Sequence, residues 1–92
     1  MAHYTSTGPS THILQFPQGC VFPWHYHTAE EQMMVVQGNV TVEMKDVPPT
    51  SLGPDGFAMM PSKERHEFSC KSEKGCTAFV TFDRAYDIFW VR

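Results

Sequence analysis

The chain has 92 residues and a mass of 10.5 kDa, enough for one domain, 1–92, and too short for two. With 41% hydrophobic and 18% charged residues it has the composition of a globular protein, not of a charge-rich disordered one. Seven Lys+Arg against ten Asp+Glu give a net charge of −3, which leaves no basic surplus for binding a nucleic-acid backbone.

Seven prolines and six glycines cut the chain into short pieces, and no long window shows a helical period. Residues 1–10 predict a loosely ordered segment. Residues 12–16 and 20–27 read as strands interrupted by Pro17 and Pro23. Residues 32–37 form an apolar run expected to be buried on both faces, and Gly38 bends the chain after it. Residues 39–45 alternate Val40, Val42 and Met44 with Thr41, Glu43 and Lys45, the period of a half-buried strand. The stretch 46–56, DVPPTSLGPDG, is too proline-rich to lie inside a sheet and reads as a connector. Residues 57–61 and 65–70 are strands, the second with His66, Phe68 and Cys70 on one face. A polar loop, 71–75, reads as a hairpin turn into a strand at 76–83, and 87–91 closes the chain. About eight short strands at this spacing predict an all-β sandwich or barrel.

No apolar run approaches a transmembrane length, and the MAHYTSTGPS terminus shows no signal peptide, so a cytoplasmic protein is expected. Three cysteines make an odd count, and reduced thiols are the default in that compartment. Cys70 and Cys76 can face each other across the predicted hairpin, but the same compartment argument weighs against a bridge.

The chemistry concentrates in residues 19–38. His25 and His27 are two apart, which on a strand puts both imidazoles on one face, about 6–7 Å apart along it. Glu31 follows a turn-compatible Thr28-Ala29 and can open the next strand pointing back at the pair. Two imidazoles and a carboxylate leave open positions on a bound metal. His66 is a fourth candidate from another strand, on an inward face. This donor set suits Fe(II), Ni(II), Mn(II), Cu(II) or Zn(II) better than Ca or Mg. Glu30 and Gln32 flank Glu31 and become ligands only if the register slips by one, which Gly38 opposes. His3 and His12 lie outside the pattern and are expected to be non-ligands.

The run Gly19-x5-His25-x-His27-x3-Glu31-x6-Gly38 resembles the first motif of the cupin superfamily at every fixed position. Five such positions coincide by chance on the order of once in 10⁵ sequences. The second motif is recognisable but degraded: Pro61 and His66 keep their spacing, the usual Gly-Asp is reversed as Asp55-Gly56, Lys63 replaces a glycine, and Cys70 stands where asparagine is common. The short connector resembles that of the compact single-domain cupins. The resemblance implies a small jelly-roll, or double-stranded β-helix, barrel. It also implies one divalent transition metal held by His25, His27, Glu31 and His66, and a homodimer.

Cys70, Phe68, Met33 and Met60 are candidates for lining the pocket, with one of Met59 and Met60 inward by parity. For Cys70 the commoner role is a small buried hydrophobe. Phe57, Phe68, Phe79, Phe82, Phe89 and Trp90 are taken as barrel fill. No nucleophile elbow, phosphate loop or CxxC pair is present, so any catalysis rests on the metal. The resemblance points first to oxygenase-type chemistry on a small organic substrate. The alternatives are a non-enzymatic ligand-binding or metal-sensing module and a metal-dependent isomerase, lyase or decarboxylase. Recruitment of Cys70 by zinc would mark a closed structural site.

Overall fold

A computed structural model describes residues 8–91. His3 and most of the predicted loose segment lie outside the described residues. Nine strands follow in order: β1 Ser10–Phe16, β2 Val21–Tyr26, β3 Glu31–Gln37, β4 Val40–Met44, β5 Val47–Leu52, β6 Phe57–Met60, β7 His66–Cys70, β8 Cys76–Phe82 and β9 Phe89–Trp90. They form two antiparallel sheets, a four-stranded β1-β8-β3-β6 and a five-stranded β5-β4-β7-β2-β9. No helix among the described residues is long and apolar enough to cross a membrane.

The core lies between the sheets because alternate side chains of each strand point inward. Met33, Val35, Ala78, Val80 and Phe82 come from one sheet, and Val40, Val42 and Phe68 from the other. Phe16, Phe22 and Phe68 pack together, with Phe22 and Phe68 centroids 4.7 Å apart.

Strand β3 is buried on one face only: Met33 and Val35 are inside, while Met34 and Val36 are exposed, because its sheet has no second layer behind it. The same holds for four of the aromatic residues expected as barrel fill. Phe68 and Phe82 are buried, whereas Phe57, Phe79, Phe89 and Trp90 are exposed. The proline-rich stretch does contain a strand, β5. It sits at the sheet edge, and Pro48 and Pro49 fall where its register with β4 is irregular, so the missing N–H groups cost no ladder bond. Pro23 is likewise accommodated inside β2, where the register with β7 shifts between Phe22 and His25.

The loop after β7 is not a hairpin. Strands β7 and β8 belong to different sheets, so residues 71–75 carry the chain from one layer to the other. Cys70 and Cys76, at the two ends of this crossover, are joined by a disulfide with Cα atoms 5.8 Å apart. This overturns the expectation of reduced thiols. Both side chains point into the core, and the short crossover brings them within bridging range. Cys20 is the free cysteine among the described residues. The bridge staples the two sheets at one end of the barrel. Closing a loop of six-residue separation is worth about 2 kcal/mol by chain entropy. Full reduction is expected to lower Tm by roughly 10–15 °C in a domain of this size. An unchanged Tm in a thermal melt of the reduced protein would mean that the bridge does not support the fold.

A candidate metal centre

Four buried polar side chains occupy the end of the barrel opposite the disulfide: His25, His27, Glu31 and His66, each at most 4% exposed. Their positions follow from strand parity and register. His25 lies in β2 and His27 just beyond it, with ring centroids 5.0 Å apart. His66 opens β7 and stands directly opposite His25 in the β2–β7 pairing, 4.3 Å between ring centroids. Glu31 opens β3 in the other sheet and closes the cluster from across the barrel. One donor atom from each of the four lies within 4.8 Å of every other. Glu30 and Gln32 do not join them. Glu30 donates its N–H to Asp83, and the exposed Gln32 donates to the Glu30 carboxylate.

All three imidazoles have the same orientation. Each Nδ1 donates to a backbone carbonyl: His25 to Pro23 at 2.6 Å, His27 to Asp87 at 2.5 Å and His66 to Glu64 at 2.9 Å. Fixing the proton on Nδ1 turns the Nε2 lone pairs inward, the second-shell arrangement of metal-binding histidines. His27 Nε2 and His66 Nε2 lie 3.0 and 3.2 Å from Glu31 Oε1, yet Glu31 Oε1 and His66 Nε2 have no properly directed hydrogen bond. Lone pairs converging without donors between them are costly in a buried site unless a cation joins them. Donors about 2.1 Å from a shared ion sit about 3 Å apart when they subtend a right angle, so the spacing fits a transition metal.

The turn that carries His27 is held from two sides. Lys63 N–H donates to the His27 carbonyl at 2.7 Å and Ser62 Oγ to the Thr28 carbonyl at 2.7 Å. Lys63, which replaces the glycine of the cupin pattern, adopts φ +64°, the left-handed conformation that favours glycine. On the other side the Asp87 carboxylate accepts from Thr28 N–H at 2.8 Å and from the Thr28 hydroxyl, while the Asp87 backbone carbonyl accepts from His27 Nδ1–H. Asp87 was not legible as a site residue, because it lies 59 positions from its partner Thr28. Tyr86 was missed for the same reason, and Trp90 was expected only as barrel fill. Tyr86 lies 5.5 Å from His27 and Trp90 5.4 Å from His25, between ring centroids.

Of the expected pocket residues, Phe68 lies parallel to His66 with rings 6.2 Å apart. Met60 pairs across from Glu31 in the β3–β6 register, and Met33 is the next inward residue of β3; both are fully buried. Cys70 is not a pocket thiol. It is four residues along β7 from His66, roughly 13 Å away, and is bound to Cys76. It therefore offers no thiolate, and the closed zinc site that would recruit it is ruled out. His12 is half-buried, paired with Ser10 at 2.8 Å, and does not join the cluster. Two surface depressions of about 400 and 390 Å³ sit beside the four-stranded sheet, and none of the four donors lines them.

Burial drives the His25 pKa from 6.5 to about 4, against the Pro23 carbonyl and with help from the charges of His66 and His27. Burial also pulls on His27, but the Glu31 carboxylate outweighs it and raises that pKa. Burial opposes ionisation of Glu31, yet the imidazoles of His27 and His66, 3.0 and 3.2 Å from its Oε1, bring its pKa down to about 2. At neutral pH His25 is therefore neutral and Glu31 anionic, as metal binding requires of them, whereas a metal would have to displace any proton that Glu31 holds on His27.

These shifts predict how the metal-free protein responds to acid. Between pH 6.5 and about 4 the unfolded chain protonates His25 and the folded chain does not, so stability falls with pH by up to about 3 kcal/mol. The raised pKa of His27 contributes fully below pH 6.5 and stays constant in that window. The Glu31 contribution is lost only below 4.5, toward pH 2. Thermal melts of chelated protein across this range should show the slope, and His25→Gln should flatten it. An equal slope in the variant would assign the effect to another group.

Over residues 12–82 the chain matches the cupin domain family. It belongs to the cupin family. Dimethylsulfoniopropionate lyase DddQ of Ruegeria pomeroyi is 30% identical over 63 residues, 68% of this cupin and 31% of the lyase. The crystal structure of that lyase superposes with a TM-score of 0.76 at 27% identity, covering 85% of this chain and 39% of the other. An RmlC-like cupin of Methanocaldococcus jannaschii with a double-stranded β-helix fold gives a TM-score of 0.77 at 15% identity, covering 86% and 72%. Oxalate decarboxylase of Bacillus subtilis gives 0.77 at 19% identity, covering 86% and 22%. The last two establish the jelly-roll fold. The cupin spans about a third of the curated lyase it matches. These relatives lend no support to the oxygenase expectation.

Proposed function

We propose that this cupin is a metal-dependent lyase that removes a leaving group from a small carboxylate substrate. The observation that carries the reading is the convergence of three Nδ1-anchored imidazoles on an anionic Glu31. His25, His27, Glu31 and His66 are the residues that would hold a divalent ion, which supplies Lewis acidity toward a substrate carboxylate. Four protein donors leave positions for that carboxylate on a six-coordinate ion. The likeness to a dimethylsulfoniopropionate lyase supports the substrate class. Phe68, Phe82, Tyr86 and Trp90 surround the donors with aromatic rings, which limit water and offer faces that attract an onium cation.

A ligand-binding or metal-sensing module is the second reading, favoured by the burial of all four donors. One experiment separates these readings. The natively purified protein is analysed for metal, loaded in turn with Fe(II), Mn(II), Ni(II), Cu(II) and Zn(II), and incubated both without and with oxygen. Dimethylsulfoniopropionate and short carboxylates lacking the sulfonium group are followed by proton NMR. Metal-dependent loss of substrate, abolished by chelation, supports the lyase. Loss that requires oxygen would restore the oxygenase, and metal binding without turnover would favour the module.

A further inference from the structure

Three sulfurs lie together at the end of the barrel opposite the four donors. Cys70 and Cys76 are bridged, and the third, Cys20, stands just before β2, beside Cys70. Register places it there. Phe22 is opposite Phe68 and Val21 opposite Ser69, so residue 20 falls opposite residue 70. The backbone continues the ladder: Cys70 N–H donates to the Cys20 carbonyl and Gly19 N–H to the Cys70 carbonyl, both at 3.0 Å. Gly19 and Cys20 thus share one partner, a β-bulge with its glycine left-handed at φ +82°. Opposite side chains of paired strands leave the sheet on the same side. Phe22 and Phe68 show that this side is the core, where their rings meet at 4.7 Å. Cys20 has the parity of Phe22, and it packs against the core cluster that contains Cys70 and Cys76.

We propose that the three sulfurs form a thiol–disulfide exchange site in which Cys70 is the shared member. The Cys20 thiolate attacks Cys70 Sγ. The Cys20–Cys70 bond forms, the Cys70–Cys76 bond breaks, and the electron pair leaves on Cys76, which takes up the proton that Cys20 gave. One bridge and one thiol are present before and after, so no oxidant or reductant is consumed. Opposite residues of an antiparallel pair have Cα atoms about 5.5 Å apart, within the range a disulfide spans. The leaving sulfur also has a partner waiting: Cys76 Sγ lies 3.2 Å from the Asn39 carbonyl oxygen, which accepts the new S–H. Cys70 and Cys76 are buried whereas Cys20 is half-buried, so the attacking thiol is the member that ionises most readily in contact with solvent. The exchange changes what is fastened. Cys70–Cys76 ties β7 to β8, one sheet to the other, while Cys20–Cys70 ties the start of β2 to β7 within the five-stranded sheet. The staple between the layers is thereby released without loss of a disulfide.

Bridge mapping of the wild-type chain tests this. The oxidised protein is held at about pH 8 without added thiol. Aliquots are pulsed with N-ethylmaleimide, quenched in acid and digested with pepsin, so that no bridge moves during work-up. Label is expected on Cys76 as well as on Cys20, matched by a Cys20–Cys70 peptide and growing over minutes to hours. Cys70 should stay unlabelled, and the rate should be independent of protein concentration and several-fold slower at about pH 6, because the thiolate is the nucleophile. Label confined to Cys20, label on Cys70, or a rate that rises with concentration would overturn the proposal. Cys76→Ser tests the juxtaposition separately. Oxidised glutathione should close a Cys20–Cys70 bridge in that variant, and two thiols that stay unbridged would also overturn it. If Cys76→Ser fails to fold, the wild-type map decides alone.

Discussion

Glu31→Gln is expected to lower the affinity for a divalent transition metal by at least about 100-fold, a larger loss than removing an outer-shell partner. The substitution keeps the shape of the side chain and removes its charge. Glu31 is the one anion in the cluster, and its Oε1 lies within 3.2 Å of both His27 and His66. Elemental analysis of the natively purified variant should find the site depleted where the parent is loaded. Thermal stability supplies a second readout. Saturation at a hundred times Kd adds about 2.7 kcal/mol, and the variant should lose that metal-dependent rise in Tm. His25→Ala and His66→Ala should behave alike, whereas His12→Ala, outside the cluster, should keep its metal. Full loading of Glu31→Gln would sink the ligand assignment.

Gly38→Ala is the substitution expected to damage the fold most. Gly38 has φ +86°, and a Cβ added there would lie 2.5 Å from the Gly75 carbonyl oxygen and 2.9 Å from Cys76 Sγ. Neither neighbour can move freely, since one is backbone and the other is held in the disulfide. The left-handed conformation costs about 1–2 kcal/mol and the overpacking about 1–3 kcal/mol, so a loss near 3 kcal/mol and a Tm roughly 15 °C lower are expected. Gly19 supplies the control. It has φ +82° and open space around the position a methyl would take, with nothing within 4 Å, so Gly19→Ala should cost only the conformational part. Equal damage from both substitutions in thermal melts would refute the steric argument.

The glycine that anchors the cupin pattern is therefore explained by packing as well as by turn geometry. Along the chain it only marked a bend. The reason for it, the crossover between β7 and β8 passing over the bend, depends on a segment more than thirty residues away. The cysteines show the same limit. Their odd number and an expected reducing compartment argued for thiols, but bridging depends on distance, and two sheets converging at residues 70 and 76 set that distance. Aromatic residues were assigned to the interior by hydrophobicity alone. Strand parity was the better guide: Phe57 and Phe79 share the outward positions of Met34, as the register shows.

What the sequence determined by itself is local and periodic. Strand alternation predicted an all-β barrel, and the parity of His25, His27 and His66 put those side chains on inward faces, because a strand's side-chain period is fixed by the backbone. Glu31 was distinguished from Glu30 and Gln32 by the same rule, and the structure buries Glu31 alone. The tertiary structure decided everything that depends on residues distant along the chain. It set His25 opposite His66, brought the Asp87 carbonyl to His27 Nδ1, bridged Cys70 to Cys76, and left one face of the four-stranded sheet apolar and uncovered. The physical reason is that spacing along a strand fixes which way a side chain points, whereas its neighbour is chosen by pairing and layer packing, which no local pattern encodes.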